Sequence, residues 1–202
     1  MLGLPSRTEI SKNIYKKDLL LRFDGTTSQK QHFNSEIESI KIVNELSERS
    51  LGLPSGKDIN NIFVILVEVK NQEISKSTIE TIFDSINQKI VVVFKYDEFI
   101  KLGIKQTKIF LSEWKNPSYV LNIRGLDFDE VWQNFVEDIA NITVEDGQTL
   151  TTAVTNVINN EQIDKEIEKL TKKMLNTKTP SKKFEIYNQI LKLEKKKNDN
   201  QH

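Results

Sequence analysis

The sequence predicts an α/β (or α+β) fold, in which a small mixed β-sheet with packed helices precedes a C-terminal α-helical hairpin. Two nearly continuous apolar and β-branched runs, residues 63–69 and 91–96, predict central strands that are covered on both faces. The segment 78–88 between them carries apolar residues at helical spacing. The end of the chain is rich in lysine and repeats apolar residues every three or four positions, which predicts paired helices. We therefore expect an α/β domain over residues 1–147 and a coiled-coil-like hairpin over residues 148–202.

Composition excludes several classes of function. The chain contains no cysteine, which excludes disulfides, thiolate nucleophiles and Cys-based zinc sites. Its two histidines, His32 and His202, are too few for an ordinary zinc site, and we predict neither a metal nor a cofactor. The 29 basic residues equal the 29 acidic ones, so no net charge attracts the whole chain to nucleic acid or membrane. The sequence has no signal-peptide pattern and no apolar run near the roughly 18 residues of a membrane span. We expect a cytoplasmic protein.

The first part of the α/β domain is predicted to be mainly helical. Residues 4–8 form an extended arm in this interpretation, and residues 16–23 form a short helix. A longer helix is predicted over residues 28–46, followed by a Gly-Pro loop at 52–56 that leads into the first central strand. Apolar residues of the longer helix recur every three or four positions: Phe33, Ile37, Ile40 and Val43 or Leu46.

Shorter apolar runs follow the second central strand. Residues 99–104, 108–111 and 119–123 predict a meander of flanking strands. A helix is then predicted from Asp127, its N-cap, to about residue 142, because two acidic residues occupy its first turn. The buried face of this helix is predicted to comprise Phe128, Val131, Trp132, Phe135, Val136 and Ile139.

The hairpin is predicted to close through a narrow apolar seam. The seam residues follow coiled-coil spacing on both helices: Ile163, Ile167, Leu170 and Met174 on the first, and Ile186, Ile190 and Leu193 on the second. Three further apolar residues, Phe184, Tyr187 and Leu191, fall outside the seam at their own helical spacing. These three either dock on the α/β domain or are exposed for another chain, and since exposed apolar patches mark contacts, we predict that they bind a partner.

Lysines of the hairpin allow two interpretations. Residues 161–197 carry 11 lysines against 6 acidic residues. The favoured interpretation is a solvated surface with i,i+4 ion pairs. The alternative is weak contact with nucleic-acid phosphates. The lysines that would make it lie on both sides of the turn: Lys172, Lys173, Lys182 and Lys183.

Glu68 and Lys70 are the candidate catalytic residues of the chain. They are two residues apart at the end of a predicted buried strand, so alternation would place both side chains on one face. Nucleases of the restriction-endonuclease type use such a pair, the carboxylate to hold Mg²⁺ and the ammonium to help activate water. Those sites need a further aspartate on the preceding strand, and here only Asp58, in a polar loop, is close upstream. A strand that ends in solvent with ordinary charged residues is therefore the favoured interpretation.

The order of features resembles a bacterial domain-of-unknown-function family, number 4391, over nearly the whole chain. The opening Leu4-Pro5-Ser6-Arg7-Thr8-Glu9-Ile10 with Lys12, and the strand ending Glu68-Val69-Lys70, are similar to the family pattern. The stretch Leu126-Asp127-Phe128-Asp129-Glu130-Val131-Trp132-Gln133-Asn134-Phe135 resembles its Leu-Asp, aromatic, Asn-Phe signature. The C-terminal hairpin also fits.

The resemblance implies a genomic context and no particular chemistry. Such proteins tend to be encoded beside helicases and DNA methyltransferases in restriction-like antiphage defence cassettes. The leading expectation is a non-enzymatic accessory or interaction subunit with a helicase or methyltransferase as its protein partner. Two alternatives are a divergent metal-dependent nuclease centred on Glu68 and Lys70, and a homo-oligomeric structural module with the hairpin as its dimer seam.

Overall fold

The computed structural model describes residues 2–145 and 147–199. Its internal contacts divide the chain into two compact units, Met1–Asn141 and Ile142–His202, which we call the sheet unit and the hairpin unit. The sheet unit contains all the strands of the described chain, and the hairpin unit contains two long helices. The mixed α/β fold with a C-terminal helical pair is therefore confirmed.

Six strands form one mixed sheet whose spatial order equals the sequence order. They are β1 Glu9–Asn13, β2 Ile37–Ser47, β3 Asn61–Val69, β4 Ile90–Tyr96, β5 Phe99–Lys105 and β6 Ile109–Leu111. Strands β3 and β4 pair in parallel, and the four other neighbouring pairs are antiparallel. The two predicted central strands are thus adjacent at the middle of the sheet.

Seven α-helices accompany the sheet in the described chain. They are α1 Lys16–Arg22, α2 Thr27–Glu36, α3 Glu48–Leu51, α4 Lys76–Ser85, α5 Phe128–Ala140, α6 Leu150–Asn176 and α7 Pro180–Asp199. Helix α4 is the crossover that joins parallel strands β3 and β4. Asp127 caps α5 as predicted, since its carboxylate accepts a hydrogen bond from the Glu130 N–H at 3.0 Å. All six residues of the predicted buried face of α5 are buried.

Helices cover both faces of the central strands. On one face, Ile65, Val67 and Phe94 belong to a core that also includes residues of α1, α2 and α4. On the other face, the alternate residues Val64 and Val93 are fully buried, and α5 contacts β3, β5 and β6. Burial on both faces explains why these two strands have almost continuous apolar sequences.

The prediction of one long helix over residues 28–46 is wrong for its second part, residues 37–46. Helix α2 ends at Glu36, and β2 begins at Ile37. Two register shifts interrupt the pairing of β2 with β3, one between Ile37 and Ser39 and one between Ile42 and Asn44. Each bulge inserts a residue, so the buried positions of β2 are spaced by three, four and two instead of alternating. The buried apolar residues of the bulged strand are therefore spaced much as they would be in an amphipathic helix.

Two further differences concern the borders of the sheet. Residues 119–123 form no strand, although the Leu121 N–H donates to the Leu2 carbonyl at 3.0 Å. Strand β1 was not predicted, because its sequence Glu-Ile-Ser-Lys-Asn is polar and mostly exposed. It is an edge strand, where polar residues are common, and its pairing with β2 is not visible from the local sequence.

Candidate functional site

The side chains of Glu68 and Lys70 form hydrogen bonds to different elements of the sheet unit. Glu68, half-buried near the end of β3, lies opposite Ser39 in β2 and accepts a hydrogen bond from its hydroxyl. Lys70 Nζ donates to the Asn34 carbonyl of α2 at 3.4 Å. On the other side of β3, Glu68 lies opposite Lys95 of the neighbouring strand β4. The predicted catalytic pair thus forms two separate polar contacts, and no ion pair joins Glu68 to Lys70 in the described chain.

Over residues 2–145 and 147–199, the structure contains no cluster of three or more His, Asp or Glu side chains that could hold a metal ion. No helix in the same part of the chain is long and apolar enough to cross a membrane.

The predicted seam joins the two helices of the hairpin unit. Ile163, Ile186 and Ile190 are buried, and the remaining seam residues are half-buried. An ion pair also links the helices, since Lys197 Nζ lies 2.6 Å from the Asp164 carboxylate. The seam therefore uses the residues that the heptad-like spacing predicts.

Helix α7 also carries an exposed apolar stripe, formed by Phe184, Tyr187 and Leu191. Their exposed fractions are 65%, 48% and 42%. The spacing of three and four residues places them on one side of the helix, away from the seam. We call these three residues the α7 stripe.

The four candidate nucleic-acid lysines lie at one end of the hairpin unit. Lys172 and Lys173 are in the last turns of α6, and Lys182 and Lys183 are in the first turn of α7. Lys172 Nζ pairs with Glu168 at 2.6 Å, and this hydrogen bond lowers the pKa of the Glu168 carboxyl group. The other three have no ion pair in the described chain. We call this surface the basic end of the hairpin.

A third candidate site, which the sequence analysis did not predict, lies where β3 and β4 begin. Because these strands are parallel, the residues that precede them meet at one edge of the sheet. A cavity of about 550 Å³ lies there, and we call it the edge cavity. Its lining comes from four segments: residues 58–61, 83–84, 86–90 and 105–106.

Asp129 of α5 fixes the loop that forms one wall of the edge cavity. The backbone N–H groups of Lys57, Asp58 and Ile59 donate to its carboxylate at 2.7, 3.2 and 2.9 Å. Three converging N–H groups make a favourable cradle for an anion. Here the chain's own carboxylate occupies that cradle, which ties the loop before β3 to the first turn of α5.

Lys89 also lines the edge cavity. Its ammonium group is 4.8 Å from the centre of the Trp132 ring, a cation–π distance. The Trp132 ring is held in place because its Nε1–H donates to Gln106 Oε1 at 2.7 Å. Burial lowers the pKa of Lys89 from its ordinary value, while the carboxylates of Asp58 and Asp129 act in the opposite direction.

A sequence signal for the edge cavity exists in two places. Asn60-Asn61 precedes the first central strand, and Asn87-Gln88-Lys89 precedes the second. Polar amide residues before two parallel strands predict a shared polar edge once the parallel pairing is recognised. The contribution of Asp129 has no such signal, because it lies some seventy residues away from the loop that it holds.

Comparison with known proteins gives one match. The sequence model of a family described as "Domain of unknown function (DUF4391)" matches residues 2–196 of the 202-residue chain. No curated protein and no solved structure matches the chain.

Proposed function

We propose, from the premise that the chain belongs to the family Domain of unknown function (DUF4391), that it is a non-enzymatic accessory subunit of a larger assembly. The assembly is a cytoplasmic, restriction-like antiphage defence system that contains a helicase, a DNA methyltransferase or both. The subunit's role in this proposal is to bind that enzyme through the hairpin unit.

The α7 stripe is the observation that carries this proposal. A two-helix hairpin buries only a narrow seam, and three large apolar side chains of α7 remain in solvent outside it. Aromatic residues such as Phe184 and Tyr187 are frequent binding hot spots when a partner covers them. Leu191 extends the same stripe by one helical turn. The stripe therefore suits an apolar groove on a folded protein partner.

Lysines next to the stripe add an electrostatic component. Lys183 lies four residues before Tyr187, and Lys195 lies four residues after Leu191, so both flank the stripe on α7. We expect the partner's groove to be bordered by acidic residues, and we expect association to slow as salt screens this attraction. Weak contact of the basic end with nucleic-acid phosphates is a secondary proposal, with a steep salt dependence.

Replacing the α7 stripe with serine is expected to abolish partner binding while leaving the fold intact. The triple variant Phe184→Ser, Tyr187→Ser and Leu191→Ser removes only exposed apolar groups. Hot-spot aromatic residues each contribute about 2 kcal/mol or more, so the dissociation constant should rise by roughly 100-fold or more. The measurement is calorimetric titration of the full chain with the helicase or methyltransferase from the same gene cassette.

A double variant, Leu21→Ser with Leu126→Ser, is the matched control. These residues are also exposed, at 84% and 79%, but they lie in the sheet unit. The control should bind the partner as the wild type does. Unchanged affinity of the stripe variant would refute the assignment of the interface to α7. If the stripe variant instead converts a wild-type dimer to a monomer in sedimentation experiments, the stripe is a self-association surface, as in the homo-oligomer alternative.

The nuclease alternative is tested with the same protein. With Mg²⁺ or Mn²⁺ added, we expect no cleavage of plasmid, single-stranded DNA or RNA. The reason is that Glu68 already accepts a hydrogen bond from Ser39, and Lys70 donates to the α2 backbone. Suppose instead that the wild type cleaves one of these substrates. If that cleavage disappears in both Glu68→Gln and Lys70→Met while their melting temperatures are unchanged, the nuclease hypothesis replaces ours.

A further inference from the structure

An apolar groove opens on the α4 side of the sheet, where β3 and β4 begin. It has a volume of about 250 Å³ and adjoins the edge cavity, with which it shares lining residues. Six apolar side chains form most of its lining: Ile14, Ile42, Phe63, Ile65, Ile86 and Ile90. Two of the six are buried and the other four are half-buried, so part of the lining is open to solvent. The groove can therefore receive one large apolar side chain.

Two amide side chains, Asn61 and Gln88, complete the lining of the groove. Asn61 lies two residues before Phe63 on β3, so strand alternation places it on the same face of the sheet. Gln88 lies two residues before Ile90, which pairs with Phe63 in the register of β3 and β4. Neither amide side chain forms a hydrogen bond within the described part of the chain. Each can therefore offer N–H donors and a carbonyl acceptor to a ligand.

We infer that the groove binds an extended peptide segment of another protein through one large apolar side chain. The side chain enters the groove, and the amides of Asn61 and Gln88 form hydrogen bonds with the peptide groups on either side of it. This inference goes beyond the proposed function, because the groove lies in the sheet unit and uses no residue of the hairpin unit. Either proposal can fail without the other.

The absence of charge in the groove selects against an ionic ligand such as a fatty acid. No charged side chain lines the groove among the described residues, so a ligand's charge would find no partner there. The lysines of the adjoining edge cavity are already engaged. Lys105 forms an ion pair with Asp84. The Lys89 ammonium lies over the Trp132 ring.

The two amides select a peptide over a hydrocarbon. A hydrocarbon would fill the groove but would cover the amides of Asn61 and Gln88 without forming hydrogen bonds, which costs free energy. A peptide segment carries a backbone N–H and a carbonyl on each side of its apolar side chain. An amide side chain can donate to the carbonyl and accept from the N–H of such a backbone. A peptide therefore satisfies both the apolar and the polar part of the lining.

A titration with blocked tripeptides, followed by NMR of the ¹⁵N-labelled full chain, tests the inference. The probes are acetyl-glycyl-leucyl-glycinamide and its phenylalanyl analogue. We expect saturable binding of at least one of them, with shifts of the side-chain NH₂ signals of Asn61 and Gln88. Acetyl-triglycinamide is the matched probe without the apolar side chain. It should bind about tenfold more weakly or worse, since burial of a leucine side chain contributes most of the affinity.

Protein variants identify the amides that bind the peptide backbone. Asn61→Ala and Gln88→Ala should each weaken binding of the leucyl or phenylalanyl probe by about fivefold, because each removes hydrogen bonds to the peptide. Asn87→Ala is the matched control, since Asn87 lines the edge cavity but not the groove. Its affinity should stay within about twofold of the wild type. Melting temperatures verify folding, and Gln88→Ala, at an exposed residue outside the strands, decides the question if Asn61→Ala is unstable.

Three results would overturn the inference. The first is the absence of saturable shifts with either apolar tripeptide up to about 10 mM, a concentration that would detect even weak affinity. If toluene then shifts signals of the groove residues, the groove is a site for a small apolar molecule instead. The second is acetyl-triglycinamide binding as tightly as the leucyl probe. The third is an equal loss of affinity in Gln88→Ala and Asn87→Ala, which would remove the assigned role of the groove amides.

Discussion

Val93→Asp is expected to unfold the sheet unit. Val93 is fully buried in β4, between Leu66 of β3 and Leu102 of β5 in the register of the sheet. A carboxylate there would lose its hydration without gaining a partner, at a cost of several kcal/mol. This cost is comparable to the whole stability of a domain, about 5–15 kcal/mol. Circular dichroism and the soluble fraction after expression measure the result. Val67 lies in β3 and is buried on the opposite face of the sheet, and Val67→Asp should unfold the sheet unit in the same way.

Val120→Asp is the matched control for this prediction. It introduces the same charge at a valine that is 48% exposed and lies outside the strands. Its cost should stay below about 1 kcal/mol, as for most surface substitutions. A soluble Val93→Asp protein that melts at the wild-type temperature would mean that β4 is not at the centre of the core.

The sequence correctly predicted the elements in which buried residues recur at a regular spacing without a break. Strands β3 and β4 are covered on both faces, so nearly every residue is apolar. Helix α5 buries one continuous face and has a cap, and both are visible locally. Strand β2 failed because its two bulges break the alternation that identifies a strand. The bulges arise from pairing with β3, and this pairing is a tertiary property.

The same distinction separates the candidate sites. The α7 stripe follows from helical spacing alone, so its three residues could be identified before the structure was known. The edge cavity needs three facts that no local window contains: that β3 and β4 are parallel, that Gln106 follows β5 at the same edge, and that Asp129 reaches the loop before β3. For the Glu68 and Lys70 pair, the spacing on one strand says nothing about the hydrogen-bond partners that Ser39 and Asn34 provide.

Gly56→Ala is expected to lower the melting temperature by about 10 °C, because the loop before β3 can no longer close on Asp129. A Cβ atom at Gly56 would lie 2.3 Å from Asp129 Oδ1 and 2.7 Å from its backbone nitrogen. The loop or α5 must therefore move, and the hydrogen bonds from residues 57–59 to the Asp129 carboxylate weaken together. Hydrogen bonds to a charged group contribute about 1.5–3 kcal/mol each, so a total loss of roughly 3 kcal/mol or more is expected. Thermal melting of the full chain gives the measurement.

Gly52→Ala distinguishes a steric effect of this kind from a general effect of removing a glycine. Gly52 follows α3 with a φ of +70°, and a Cβ atom there would meet no other atom within 4 Å. Its substitution should cost only the strain of a left-handed alanine, about 1 kcal/mol. The double variant Gly56→Ala with Asp129→Ala then examines the cause. Without the carboxylate, alanine at position 56 no longer clashes with a side chain, so the double variant should lose less stability than the two single variants combined. Strict additivity would mean that the two residues act independently, and that Asp129 does not hold the wall of the edge cavity.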